Sequence, residues 1–441
     1  MPAPLITIPS SPSLPAEADV VVIGGGVIGT CTAHFLAKRG LKVALIEKGR
    51  IAGEQSSRNW GWCRQQNRDA RELDMSTLSL GLWERIAEDL DVDLGFRRCG
   101  LMYLSDDDAE IEGWATWGRF ARGEGIDTRM LNAAEATARG SATGKPWKGG
   151  VWSPTDGTAD TSRAVPLIAA GLEKQGSTVH QFCAARGVET AGGRVTGVVT
   201  EHGTIRTSRV VMAGGVWAST FVKQLGISFP QTAARSSILS VMPPSAELPA
   251  ALHTKRVSVT RRADGAYTLA VSGLAKVDPT PQGLRYARQF LPMFARRWQV
   301  LSLGDLRAWL AGHEGRQRWR LDRPTPMERN RILDPVPEAS VIELTLHRAR
   351  QLLPALGTSP VQATWGGYID STPDGVPVID GTVGPEGFML ASGFSGHGFG
   401  IGPGAGHLIA ELVCGNEPEL SYRQYALSRL THNARGKVAD F

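Results

Sequence analysis

Cysteine is scarce. The chain has five in 441 residues, Cys31, Cys63, Cys99, Cys183 and Cys414, an odd number with no CxxC pair. A disulfide framework is therefore not expected, no metal site is expected, and the compartment is expected to be reducing and cytoplasmic. No apolar run reaches the roughly 18 residues of a membrane-spanning helix. The opening segment, MPAPLITIPSSPSLPA (residues 1–16), has neither a basic start nor an apolar core. It reads as a flexible tail and not as a secretory signal. Acids are slightly outnumbered, 43 against 48 Lys and Arg, for a net charge of +5. The excess is densest from Arg285 to Arg331, with eleven arginines against four acids. No zinc-finger or RNP signature accompanies it, so it reads as a solvated helical face and not as a nucleic-acid site.

What is present is ordinary for a globular chain, with 42% apolar and 21% charged residues. The length suggests two domains, or one domain with large insertions. DVVVI (residues 19–23) is a short apolar run of the buried parallel-strand kind. GGGVIG follows, then TCTAHFLAKRG with helical spacing, then a second buried strand in KVALIEK. Gly24, Gly26 and Gly29 match G-x-G-x-x-G: a tight turn, room for a pyrophosphate, and close packing of helix on strand. Glu47 ends the second strand, where a carboxylate accepts hydrogen bonds from ribose hydroxyls. The helix start supplies free N–H groups to phosphate.

Two further glycine turns follow strands: VVMAGGVW (residues 210–217) and SGFSGHGFGIGPG (residues 392–404). One dinucleotide needs one such turn. A buried flavin also has its ring system and ribityl chain to enclose, which favours FAD over NAD. The stretch GRVTGVVTEHGTIRTSRVVMAGG reads as a hairpin turning at EHG and leading into a strand. SRAVPLIAAGLEKQG and RELDMSTLSLGLWERIAEDL read as helices. The expected fold is α/β. A Rossmann-like FAD-binding domain takes residues 17–90, 151–230 and 351–441. An inserted α+β substrate-binding domain takes residues 91–150 and 231–350.

With these motifs in place, the chain resembles the D-amino-acid-oxidase-like superfamily of FAD-dependent oxidoreductases. Its stretches GLKVALIEKGRIAGEQSSRNWG and IRTSRVVMAGGVW are most similar to the bacterial L-amino-acid deaminase and oxidase branch. The deaminases of that branch carry an N-terminal membrane segment; none is read in this sequence, so a soluble enzyme is expected. The resemblance implies that Gly24, Gly26, Val27, Ile28 and Gly29 hold the pyrophosphate, and that Glu47 and Lys48 meet the adenosine ribose. Gln55, Ser56, Ser57, Asn59, Trp60 and Gly61 would lie in the loop that approaches phosphates and flavin. Ala185 would present backbone to adenine, and Gly214, Gly215 and Trp217 would lie along the dinucleotide. Gly396, His397, Gly398, Phe399, Gly400 and Ile401 would run beneath the isoalloxazine and stabilise its reduced form through N–H donors. Gly367 falls where covalent relatives carry cysteine, which implies non-covalent FAD.

The substrate side is placed by GEQSSRNWGWCRQQ (residues 53–66), which returns toward the flavin after Glu47. A guanidinium binds a carboxylate through two parallel bonds, so Arg64 is the first candidate for an amino acid's carboxylate, beside Gln65 and Gln66. Arg235 is a weaker candidate. Tyr368 and Trp365, from TWGGYID, are expected over the flavin; Asp370 and Asp374 are expected to cap a turn. The implied reaction is hydride transfer from Cα of an amino acid to flavin N5, giving a 2-oxo acid, ammonia and, with O2, peroxide. A quinone is the other acceptor considered. D-amino acids, opines, N-methyl amino acids of the sarcosine type, and a flavin-binding subunit of a larger amine dehydrogenase are the alternatives. The tryptophans near the site point to bulky or aromatic side chains on the L-amino acids expected as substrates; the exact side-chain specificity and the oligomeric state, a homo-oligomer included, are left open by the sequence.

Overall fold

The computed structural model describes residues 3–309, 313–315 and 318–430. Residues 431–441 of the expected nucleotide domain, the first two of the expected tail, and Arg316 of the arginine run lie outside these. The first sheet is built as the buried apolar runs predict. Its strand order is Val378–Asp380, Phe388–Ser392, Val210–Met212, Val20–Ile23, Val43–Ile46 and Thr178–His180. All neighbours are parallel except the first pair. Every residue of Val20–Ile23 and Val43–Ile46 is buried, because helices cover one face and an antiparallel meander lies against the other. The meander includes the expected hairpin, Arg194–Thr200 with Gly203–Arg206, turning at Glu201 and His202.

Three helices pack tightly on this sheet: Val27–Lys38, Ala70–Leu90 and Gly398–Cys414. The last is rich in glycine for a steric reason. A Cβ on Gly402 would lie 2.5 Å from Val27, one on Gly404 would lie 2.6 Å from the Met75 carbonyl oxygen, and one on Gly406 would lie 2.7 Å from Cys31. The absent side chains let the helix backbones approach one another.

A second, larger sheet stands across the cavity from the first. Its order is Leu301–Leu303, Ala275–Val277, Thr232–Val241, Tyr267–Ala270, Ser258–Arg261, Ala251–His253, Leu101–Ser105, Gly149–Ser153 and Arg129–Leu131. Val361–Ser371 pairs along Thr232–Val241. This corrects the expected division at residue 351. Antiparallel pairing along its whole length, from Thr232 opposite Ser371 to Val241 opposite Val361, with Ala363 and Trp365 buried, commits Val361–Ser371 to the second sheet before the chain returns to the first. The strand Gly149–Ser153 likewise straddles the expected boundary at residue 150.

The expected tail is also corrected. Ala3 is buried, and Ile6 N–H donates to Ser162 O at 3.0 Å. Ser11 exchanges two hydrogen bonds with Val179, its N–H donating at 2.8 Å and its hydroxyl accepting at 2.9 Å. Proline and serine here shape an extended strap with fixed partners. The arginine run is a solvated face in part, with Arg285, Arg288 and Arg296 exposed, but it carries apolar side chains as well. Helix Pro281–Arg297 presents Leu284, Leu291 and Phe294 to solvent among its arginines, and Trp298 follows. No described helix is long and apolar enough to cross a membrane.

Candidate active site

The first glycine turn has the strain its composition predicts. Gly24 sits at φ +112°, and a Cβ there would lie 2.4 Å from the Ala213 carbonyl oxygen. A Cβ on Gly29 would lie 1.9 Å from the Gly24 carbonyl oxygen. Gly26 is the extended N-cap of Val27–Lys38, and Val27 N–H donates to Ser56 Oγ at 2.9 Å. Glu47 accepts from Gly25 N–H at 2.8 Å and Gly49 N–H at 2.7 Å, and burial raises its carboxyl above the usual range. Lys48 pairs with Glu54, donates to the carbonyls of Asn330 and Arg331, and lies 5.1 Å over the Trp217 ring. Trp217 is buried, and its Nε1 has no partner among the described residues.

The loop after the second strand is fixed by its own amides. Gln55 Oε1 accepts from Asp370 N–H at 3.1 Å. Asn59 donates to Gln55 O and Ser56 O and accepts from Gly61 N–H at 2.8 Å. Ser57 is turned to Glu54 O at 3.3 Å, so it shapes the loop while Ser56 faces the helix. Asp370 does not cap a turn. Its buried carboxylate accepts from Gly393 N–H at 2.8 Å and Gln231 at 3.1 Å, tying the three segments together. Asp374 does accept from Val376 N–H in a turn, and it also pairs with Arg71 and Arg429, both at 2.9 Å.

These pieces converge on one cavity of about 840 Å³. Gly24, Gly26, Val27 and Ile28 line it with Glu47 and Lys48; so do Ala185, Gly214, Gly215 and Trp217. The loop contributes Gln55, Ser56, Asn59 and Trp60, the second sheet Gly367 and Tyr368, and the C-terminal turn Gly396 to Gly400. Ile401 is the exception in that turn: it is fully buried in the helical core. Gly61 does not line the cavity either; at φ +80° it makes the bend against Ala159. The cavity runs beneath the second sheet from Ala275 and Val277 to Tyr103. That is five strand spacings, or roughly 24 Å. Helices Val27–Lys38 and Gly398–Cys414 both aim their N-termini into it. Two helix starts, a buried carboxylate and three glycine turns along one elongated cavity fit an extended FAD.

At the far end stand Arg64, Arg68, Tyr103 and His253, walled by Trp60, Trp62 and Trp114. Tyr103 and His253 are register partners on adjacent strands, with rings 4.8 Å apart. Trp62 lies 5.1 Å from Trp60 and 6.1 Å from Tyr103. Arg64 bonds the carbonyl of Gln66 and lines the cavity. Arg68 was not singled out from sequence. It is 3% exposed, its Nε donates to Arg64 O at 3.3 Å, and its Nη1 has no partner among the described residues. Burial, then the charge of Arg64, lowers its guanidinium to about 10. The signal that identifies it is its place four residues after Arg64, just before the Asp69 N-cap of Ala70–Leu90. Burial lowers His253 to about 4, with Arg64 adding to the effect, so the ring is neutral at neutral pH.

Several candidates are used elsewhere. The backbone N–H groups of Gln65 and Gln66 donate to Asp156 at 2.7 and 3.1 Å. The Gln66 side chain accepts from Thr128 and Ser153, so both glutamines build the loop that carries Arg64. Arg235 pairs with Asp278 at 3.0 Å and does not line the cavity. Trp365 is 1% exposed and packs behind Trp60, its indole N–H donating to Arg58 O at 3.4 Å, so it supports the wall without facing the cavity. Tyr368 does face the cavity; its ring meets His313 at 4.7 Å, and burial raises its hydroxyl to about 12. Among the described residues no cluster of His, Cys, Asp or Glu suits a metal ion.

The chain is similar to several known proteins. Sarcosine oxidase subunit beta of an Arthrobacter species is 25% identical over 428 residues, covering 95% of this chain and 93% of its own. Glycine oxidase of Pseudomonas putida is 26% identical over 421 residues, covering 92% and 98%. The structure of L-amino acid deaminase from Proteus myxofaciens, in complex with anthranilate, superposes with a TM-score of 0.91 at 26% identity, covering 97% of each chain. The sequence profile of the DAO family, FAD dependent oxidoreductases, matches residues 19–412, and the chain belongs to that family of FAD-dependent enzymes.

Proposed function

We propose that this enzyme oxidises an amino acid at its Cα–N bond, releasing a 2-oxo acid and ammonia, and that its substrates are L-amino acids with bulky or aromatic side chains. The observation that carries this reading is Arg68, a buried guanidinium beside Arg64 whose Nη1 has no partner among the described residues, in a cavity end walled by Trp60, Trp62, Tyr103 and Trp114. A carboxylate is the ligand that such a pair of donors suits, and an aromatic wall suits a large side chain. The likeness to the Proteus deaminase supports it.

FAD, when bound, accepts the hydrogen and electron pair from Cα. The loop and glycine turns described above hold it, and Gly367 offers no nucleophile for a covalent link. This chain's own residues do the rest. Arg64 and Arg68 fix the carboxylate, which sets the direction of the Cα–H bond. The aromatic wall excludes water. His253 and His397 are each lowered to about 4, so both are neutral and neither protonates the amine. The amine reacts as the neutral base, its lone pair assisting as the Cα–H bond breaks. The imino acid then hydrolyses in water. O2 or a quinone restores the oxidised enzyme.

The test is anaerobic bleaching of the holoenzyme by each amino acid of both hands. Bleaching by large L-amino acids is expected. Bleaching by glycine or sarcosine alone would favour the second reading, oxidation of small or N-methylated amino acids, which the glycine and sarcosine oxidase relatives support.

A further inference from the structure

His397 and Glu72 form a buried pair, and the reaction above gives Glu72 no part. Glu72 lies in the first turn of Ala70–Leu90 and is fully buried. Neither of its carboxylate oxygens has a hydrogen bond among the described residues; His397 Nδ1 lies beside it at 3.3 Å, and the charge of Arg68 also acts on it. His397 is the N-cap of Gly398–Cys414, and it lines the cavity where that helix start points inward. A buried carboxylate beside an imidazole is an ion pair lacking one proton.

The charged groups facing His397 come from one neighbourhood. Glu72 lies on the helix, and Arg68 and Arg64 on the loop ahead of it. Burial, then Arg68, holds the imidazole down at about 4, against the pull of Glu72. Tyr425 is also near Glu72, but its hydroxyl donates to Arg71 O at 2.5 Å. The resting site therefore keeps His397 neutral, and a new negative charge in the cavity shifts that balance toward protonation. The proposed reaction delivers such a charge. The Cα–H bond breaks, hydrogen and both electrons enter the cofactor, and one unit of negative charge remains on it.

Resting on the FAD reading of this site, we infer that His397, paired with Glu72, takes up one proton from water each time the cofactor accepts an electron pair. The proton returns to solvent when the acceptor removes the pair. The His397–Glu72 pair is a charge-compensating device: a neutral imidazole spares the oxidised cofactor a cation, and an imidazolium balances the reduced one. Glu72 is a positioning residue in this scheme, since it acts through His397.

The test is a potentiometric titration of the holoenzyme with dithionite and redox dyes, from roughly pH 5 to pH 8, the range in which histidine responds to its surroundings. The wild type is expected to take up two protons per electron pair, one on the cofactor and one on His397. Glu72→Gln keeps the shape of the side chain and is expected to take up one. A one-proton slope in the wild type overturns the inference. A two-proton slope kept by Glu72→Gln also overturns it, because the second proton then resides on the flavin. If Glu72→Gln does not take up FAD, His397→Gln is read by the same criterion. Failure of the FAD reading itself looks different: the purified protein then takes up no flavin at all.

Discussion

Ser56 Oγ accepts the backbone N–H of Val27 at 2.9 Å, joining the loop after the second strand to the first turn of the dinucleotide helix. The serine is 7% exposed, so the bond is shielded from water. Replacing it leaves a helix-start N–H without its partner and frees the loop that carries Gln55 and Asn59. Ser56→Ala is expected to weaken FAD binding about fivefold, from a net loss of roughly 1 kcal/mol. Quenching of flavin fluorescence on titration with apoprotein measures it.

Arg68→Ala and Arg64→Ala should both raise the KM for amino acids while FAD stays bound. A charge-assisted bond of roughly 1.5–3 kcal/mol corresponds to a change of about ten- to a hundredfold. Arg68→Lys keeps the charge but loses the fork, and should recover only part of the loss. Unchanged steady-state kinetics in Arg68→Ala would remove it from the carboxylate site.

Arg235→Ala should act on stability instead. It leaves Asp278, 8% exposed, without its 3.0 Å partner. Because Arg235 itself is 19% exposed, a loss of roughly 1–3 kcal/mol is expected, below the range for fully buried pairs. Urea unfolding should show it, with KM unchanged; a large rise in KM with normal stability would return Arg235 to the substrate site.

Gly29→Ala is expected to yield apoprotein or insoluble chain, since its Cβ would meet the Gly24 carbonyl at 1.9 Å. Gly81, inside Ala70–Leu90, has open space around a built Cβ. Gly81→Ala should stabilise by roughly 0.5–1 kcal/mol. Thermal unfolding of the two variants separates steric necessity from helix propensity.

Asp156 sets a pH dependence. Burial raises its carboxyl to about 6, against the pull of the Gln65 and Gln66 N–H groups and both arginines. A carboxyl raised on folding stabilises most when protonated. Its contribution is full below the unfolded value of about 3.9 and is lost as pH rises through about 6. Asp156→Asn should flatten the fall in Tm between these values; an identical Tm profile in the variant would contradict the assignment.

The nucleotide half was legible because its signals are local. Gly24, Gly26, Gly29 and Glu47 each answer to a neighbour in the same strand–turn–helix–strand unit, and periodicity places that unit unaided. The proposed substrate end was legible only in part. Arg64 was reachable because it follows the loop toward the cavity. Arg68 was not, because the lack of a partner for its Nη1 among the described residues is a fact of tertiary packing, in a cavity end that Tyr103 and His253 of the second sheet also line. Trp365 and Arg235 misled for the same reason. The sequence shows an indole and a guanidinium near the right motif. It does not show that Trp365 points at Trp60, or that Asp278 lies opposite Arg235. The strap at Ile6 to Ser11 looked loose because its composition is that of a linker; its hydrogen bonds go to Ser162 and Val179, far along the chain.

The glycines of Gly398–Cys414 have a consequence for how damage spreads. Gly402, Gly404 and Gly406 seat that helix against Val27, Met75 and Cys31, so it has no room to slide or roll. Its N-cap is His397, so a methyl group added at one of these three glycines is expected to disturb the imidazole at the cavity wall. Such a lesion would register as an altered colour and potential of the enzyme, though nothing near the substrate had been touched.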